Sequence, residues 1–455
     1  MKNITCEVVR KILSYRYESL SDDCIKKTKL TILDGIGNMI AGSQEVISEV
    51  LISYFKKIED LGRYSIIGSP HKSNIINAAF ANACFCHYLD YENTMHPPTH
   101  PISPTLSPSL SLSEYQLING KQFILAIALG CEFQGRLRLE YPESGINGFH
   151  YPGTIGLLGS TVTSAKLLDL NRSEFCNALG IAGSRAGGLF ANNGTMTKST
   201  HSGNASRSGI ESCLLTKEGW TANKDILESD GGFVKTFFKK KINYNSLLKN
   251  FGNPFRIEDP GFNFKYYPAQ TPCHWAIDAA IKIKEKFNFT YTDIKLIEII
   301  TGPDNISINN PKPVDGLDGK FSIHYTVAIA LIDGYLNLES FTDKRRFSKD
   351  VIILLNKIKI IENESIKSLD FMKAWSQVNV YLKSGKKISE KCRYFKGHCK
   401  NPLSENEIYD KFIMLSSKYL SKNKIDQLFN KLENLEKLKD LKILFRIINK
   451  KNYII

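Results

Sequence analysis

Residues 90–101 read DYENTMHPPTHP, which sets two carboxylates, two threonines and two histidines in twelve residues. Three prolines keep the stretch from being helical. Histidine gives and takes a proton near neutral pH, and as a general acid or base it needs reach and a suitable pKa. A stiff loop behind a buried helix supplies the fixed position that proton transfer demands. His96 and His100 stand four apart, the spacing that aligns two zinc ligands on a helix, but Pro97 and Pro98 forbid that helix and no third ligand is in register, so no metal is expected. A lone histidine would read as a local hydrogen-bonding group and a lone Asp90 as a helix cap. Asp90, Thr94 and His100 together read as chemistry.

Three further stretches carry reactive side chains. In NNGTMTKSTHSGNASRSG, residues 192–209, Lys198 lies among hydroxyls and glycine turns ahead of a helix start expected at Asn204 or Ala205, a cradle for a carboxylate. It is no nucleotide loop, because Asn192 and Thr197 occupy the places where that pattern needs glycine. In GFHYPGTIGLLGS, His150 precedes a helix whose glycines at 153, 156 and 159 share a face and suit close packing. FKYYPAQTPCHWAIDAA puts Lys265 at a change of texture in the chain and His274 at the next helix start. Junctions between domains are where clefts form.

The elements that must position these residues follow from periodicity. Apolar spacing predicts helices over 24–43, 75–91, 109–114, 121–139, 154–170, 174–189 and 205–218. The turn-rich segment 252–268 then leads into a helix over 273–286, strands over 295–301 and 378–382, and a helix over 325–334 between them. Beyond residue 404 helix returns, with Leu428, Leu432, Leu435, Leu438 and Leu441 spaced to pack back onto the first domain. The expected fold is mostly α with an α+β second domain. A helical domain over 1–262 is completed by 401–455, and the α/β unit spans 263–400.

Composition narrows the function classes. With 42% hydrophobic and 23% charged residues over 455 positions, the chain has material for two cores. The start lacks a signal-like apolar region and no run could cross a bilayer, so a cytoplasmic protein with no membrane contact is expected. The ten cysteines form no CxxC pair, which argues against a zinc ribbon, a dense disulfide framework or an iron–sulfur cluster. A net charge of +14 is spread without the basic–aromatic interleaving of a nucleic-acid module, and favours small anionic substrates instead.

Taken in order, KLTILDGIGNMIAG, HYLDYENTMHPPTHP, GFHYPGTIGLLGSTVTSAKLL, ALGIAGSRAGGL, GTMTKSTHSGNASRSGIESCLL, CHWAIDAA, KFSIHYTVAIALIDG and KGHCKNPLSENEI resemble the MmgE/PrpD family along nearly the whole chain. The family includes 2-methylcitrate dehydratase, cis-aconitate decarboxylase and iminodisuccinate epimerase. The resemblance implies a homodimer of protomers, each a large helical domain with a smaller α/β lid, a site in the cleft between them, and no cofactor. It carries Asp90, Thr94, His100, His150, Lys198, Lys265 and Tyr325 onto site positions. On that basis His100 and His150 are the proton-transfer pair, Asp90 orients His100, Thr94 bonds a substrate oxygen, and the two lysines hold carboxylates. The activity implied is a lyase reaction on a small di- or tricarboxylic acid, or alternatively an epimerisation by the same acid–base pair. Three positions depart from the family. Gln270 stands where the decarboxylase has a further histidine, leaving a substrate-binding amide that carries no proton at neutral pH. Glu92 and Asn93 replace the usual acidic pair.

Overall fold

The computed structural model describes residues 3–140, 148–239, 243–303 and 306–449. The helix Ile75–Tyr88 is rich in alanine, cysteine and phenylalanine and buries nearly every side chain. A helix apolar on all sides belongs at the centre of a bundle. It packs there against the helices Asp22–Gly42, Ser103–Tyr115 and Thr197–Lys217. Small residues allow the close approach. A Cβ on Gly203 would come within 2.6 Å of Cys84 Sγ, and one on Gly42 within 2.1 Å of the Phe85 carbonyl oxygen.

That packing corrects one expectation. The helix expected to start at Asn204 or Ala205 starts at Thr197, so Lys198 lies in its first turn and not in a loop before it. Gly203 is a contact point between helices, not a turn. Likewise the helix expected over 109–114 spans Ser103–Tyr115. Pro104 is tolerated in its first turn, and two buried serines inside it bond back to the helix, Ser109 Oγ to the Thr105 carbonyl at 2.7 Å and Ser113 Oγ to the Leu110 carbonyl at 2.6 Å.

The first core gathers residues from Ile4 to Phe264 together with Leu403 to Ile448, including Leu428, Leu432, Leu435 and Leu441. The C-terminal segment is seated where the Gly120 N–H donates to the Leu438 carbonyl at 2.8 Å. A Cβ at Gly120 would sit 1.6 Å from the Leu435 carbonyl oxygen. Gly120→Ala is therefore expected to destabilise the protein by about 1–3 kcal/mol through forced backbone movement, measured as a lower urea midpoint.

The second core is built from Tyr267 to Phe395. Its sheet runs in the order Ile358–Glu362, Ile294–Thr301, Ser376–Leu382, Lys387–Cys392, the first pair parallel and the others antiparallel. The helices His274–Lys286 and Ile323–Asp333 pack with it. The strand Ile358–Glu362 was not expected, because so short an apolar run has no decisive periodicity. A two-residue ladder pairs Thr94–Met95 with Phe262–Asn263, joining the histidine loop to the segment that carries Lys265. Among the described residues no helix is long and apolar enough to cross a membrane.

Candidate active site

The helix Ile75–Tyr88 ends in a turn where the Asp90 N–H donates to the His87 carbonyl and Asp90 takes φ 50°. A left-handed conformation is rare outside glycine, though aspartate tolerates it better than most, and such strain gathers at functional turns. The turn sends the Asp90 carboxylate into a nest of cations. Its Oδ1 lies 2.7 Å from Lys198 Nζ and 3.1 Å from Lys265 Nζ, while His100 Nε2 stands 3.6 Å away. Burial pushes the Asp90 carboxyl up, but the two lysines and the histidines outweigh it and hold the group well below the usual carboxylate range. Burial lowers the Lys265 pKa, and the Asp90 charge works against that. Lys198 also rests over the Phe321 ring of the second domain, 4.6 Å from its centre.

A second carboxylate sits beside the first. Glu92 Oε1 accepts from the His87 ring N–H at 2.5 Å and lies 3.0 Å from His100 Nδ1, off the line a good hydrogen bond requires. Burial would raise the Glu92 carboxyl, but the facing histidines keep it well below its ordinary value. Burial pushes His87 down to about 4, so at neutral pH it is an uncharged ring with one N–H on Glu92 and a buried, unpartnered Nε2. His150, placed just before the helix Tyr151–Leu167, meets His201 with 3.0 Å between their Nδ1 atoms. Burial, and then the Lys198 charge and the neighbouring histidines, hold His150 well below the usual histidine range. The His87, His100 and His150 rings crowd together, with centroids 4.6 to 6.1 Å apart. Thr94 Oγ1 is buried beside them in sequence and has no hydrogen-bond partner.

The structure thus brings Asp90, His100, His150, Lys198 and Lys265 into one cluster. Two expected residues are engaged elsewhere. Gln270 spans the two domains, its Oε1 accepting from Asn193 Nδ2 at 3.4 Å and its Nε2 donating to Ser307 Oγ at 3.3 Å. Tyr325 is a correction: its ring is buried in the second core against Phe341, and its hydroxyl donates to the Ser340 carbonyl at 2.5 Å. A phenol bound to a carbonyl inside a core has no free donor for substrate. His96 parts from His100 and faces Asp370 of the second domain at 3.8 Å. His274 lies in the second core, its Nε2 on the Ala269 carbonyl at 3.1 Å.

The sequence motifs single out neither His87 nor His201, which the structure adds to the cluster. His201 carried a signal, since it stands three residues after Lys198 and so shares its helix face. His87 stands three residues before Asp90, within the last turn of its helix. Asn93 does remove a charge where one would repel. Its main-chain N–H and its Nδ2 donate to Asp34 Oδ2 at 2.8 and 2.9 Å, and Asp34 Oδ1 pairs with Lys411 at 2.8 Å.

The ring nitrogens of His87, His100 and His150 lie within 4.8 Å of one another, as do donor atoms of Asp90, Glu92 and His100, so either set has the reach of a metal ligand set. A cation on Asp90 would compete with Lys198 and Lys265 for the same oxygen. As it stands, the cluster offers imidazole rings for proton transfer and two ammonium groups for anionic oxygens.

Similarity to known proteins runs along most of the chain. The MmgE/PrpD N-terminal domain matches residues 7–245 and the MmgE/PrpD C-terminal domain residues 267–435. The chain is 29% identical over 461 residues to cis-aconitate decarboxylase of Mus musculus, covering 98% of this chain and 94% of that one. It is 29% identical to the Homo sapiens cis-aconitate decarboxylase over 464 residues, 98% and 95% of the two chains. With 2-methylcitrate dehydratase of Escherichia coli strain K12 it shares 26% identity over 330 residues, 65% of this chain and 64% of the other.

Proposed function

Because the chain belongs to the MmgE/PrpD family, we propose that it is a lyase acting on a small tricarboxylic acid, of the cis-aconitate or 2-methylcitrate class, by histidine-mediated proton transfer without a cofactor. The observation that carries this reading is the Asp90 carboxylate held between Lys198 and Lys265 beside the Glu92–His87–His100 group. A substrate carboxylate drawn to the same ammonium groups would lie next to His100 and His150. Cations on its carboxylates stabilise the charge that develops at carbon when a proton or CO2 departs.

In this account Lys198, over Phe321, swings from Asp90 to a substrate carboxylate, while Lys265, fully buried, adds its charge from its place beside Asp90. His100 moves the proton, with Glu92 and Asp90 setting its ring. His150 serves the second proton position, and Thr94 Oγ1 donates to a substrate oxygen. Similarity along nearly the full length supports the decarboxylase end of the range, while Gln270, engaged between Asn193 and Ser307, leaves all proton traffic to the clustered histidines. A homodimer belongs to the same reading, and the mass in solution tests it.

His100→Ala tests the assignment. Turnover of cis-aconitate or 2-methylcitrate, followed by chromatography, is expected to fall about 10²–10⁴-fold, with the thermal midpoint close to that of the wild type. Full turnover in that variant would remove His100 from the mechanism. An epimerase using the same pair would instead return the proton to the opposite face, and solvent deuterium separates it from a lyase.

A further inference from the structure

Three buried lysines hold three consecutive main-chain carbonyls at the turn that carries Asp90. Lys320 Nζ donates to the Leu89 oxygen at 3.1 Å, Lys265 Nζ to the Asp90 oxygen at 2.6 Å and Lys411 Nζ to the Tyr91 oxygen at 2.7 Å. They come from three separate parts of the chain: the second domain, the junction and the C-terminal helix Glu405–Ser416. Two of these ammonium groups also reach the junction segment, Lys320 to the Pro268 carbonyl at 3.2 Å and Lys411 to the Lys265 carbonyl at 2.9 Å. The segment 265–268 is thereby stitched to 89–91 by side chains alone.

Two of these lysines have carboxylates as well, Lys265 on Asp90 and Lys411 on Asp34. Lys320 makes no ion pair among the described residues, although it is only 4% exposed. Its ammonium has the Leu89 and Pro268 carbonyls and the Phe341 ring, 4.7 Å from centre to Nζ. Burial brings it down to about 8. A buried cation held in contact only by carbonyls and a ring, with Asp90 and Glu45 acting on it from beyond ion-pair distance, is expensive and calls for a role that an apolar residue would not fill.

We infer that Lys320 is a positioning residue of this site: reaching from the second domain, it holds the Leu89–Asp90 peptide in place and so fixes the left-handed turn that aims the Asp90 carboxylate between Lys198 and Lys265. The inference rests on the reading of that cluster as the active site. It makes the seating of the second domain on the helical domain a condition for an assembled site, since the Lys320 tether joins the two. The Lys320 charge is not a point of contact with substrate; the carbonyls are its ligands.

Lys320→Met in the full-length chain tests this, with Ile329→Ala, a buried apolar residue of the same domain, as a control for stability alone. The Met variant is expected to lose about 30-fold in kcat while KM stays within about threefold. The 15N ring signals of His87 and His100 are expected to move in it, and to stay in place in Ile329→Ala. Unmoved ring signals with kcat near the wild-type value overturn the inference, and so does a rise in KM that accounts for the whole loss, which would make Lys320 a substrate ligand. If the wild type converts none of the tricarboxylates offered, the proposed function fails, yet the ring signals still decide the positioning role. Should Lys320→Met not fold, Lys320→Arg, which keeps the charge and the donors, carries the test: ring signals and kcat close to wild type support the tether, and displaced signals with folding intact and kcat unchanged contradict it.

Discussion

Asp90→Asn is expected to abolish turnover and to lower stability by about 3–5 kcal/mol, because it removes one partner of a buried ion cluster and leaves the other charges uncompensated. Lys198 and Lys265 both meet Asp90 Oδ1, and Lys265 is fully buried. An amide in that place still accepts a hydrogen bond but supplies no charge, so the lysines would shed protons or recruit water. Urea unfolding measures the stability term, and the rate of tricarboxylate consumption measures the chemical one. The two separate in the double variant Asp90→Asn with Lys265→Met, which is expected to regain part of the stability and none of the activity. If Asp90→Asn alone stays as stable as the wild type, the cluster is not the buried ion network described here.

Acid is expected to unfold the protein at an unusually mild pH. Burial holds His87, His96, His201, His324 and His398 down to about 4 and His274 down to about 3. Each is neutral in the folded protein across a range where the unfolded chain, titrating near 6.5, already binds a proton. The unfolded state therefore takes up more protons as pH falls from 6.5 towards 4, and stability drops with it. Every such histidine contributes a loss of up to about 1.4 kcal/mol per pH unit in that window. The lowered carboxyls of Asp90 and Glu92 add the same sign further down, below their ordinary range. Unfolding free energies from urea titrations at pH 7 and pH 5 are expected to differ by up to about 2 kcal/mol for each of these histidines, so that the six together reach on the order of 10 kcal/mol, the size of a domain's whole stability. Equal midpoints would mean that these rings are protonated in place.

Much of the site is written in the order of its residues, and the parts that were not have physical reasons. Asp90, His100, His150, Lys198 and Lys265 were legible because a proline-stiffened loop, a pre-helical histidine and lysines among hydroxyls or at a junction are local features. Glu92 and His87 were not, because their significance comes from a fold of the helix end that brings ring and carboxylate to 2.5 Å. Lys320 and Lys411 were invisible for a different reason, since lysines that bind main-chain carbonyls across the chain leave no local pattern. Tyr325 shows the opposite failure: a residue carried over on motif alone is spent inside a core on the Ser340 carbonyl. For the fold, apolar periodicity placed the buried helices, but glycine and proline misled it wherever they served packing, as at Gly203 and Pro104.

The central claim is that the cluster performs lyase chemistry on a tricarboxylate, and proton NMR in D2O with EDTA present tests it most directly. The protein is mixed in turn with cis-aconitate and 2-methylcitrate and followed over time. The account predicts a lyase outcome: from cis-aconitate, loss of CO2 and a new pair of terminal alkene protons with deuterium incorporated at carbon, or from 2-methylcitrate, a new alkene product with loss of water. Deuterium entering an otherwise unchanged skeleton, or no change in either acid while His100→Ala behaves identically, would contradict it.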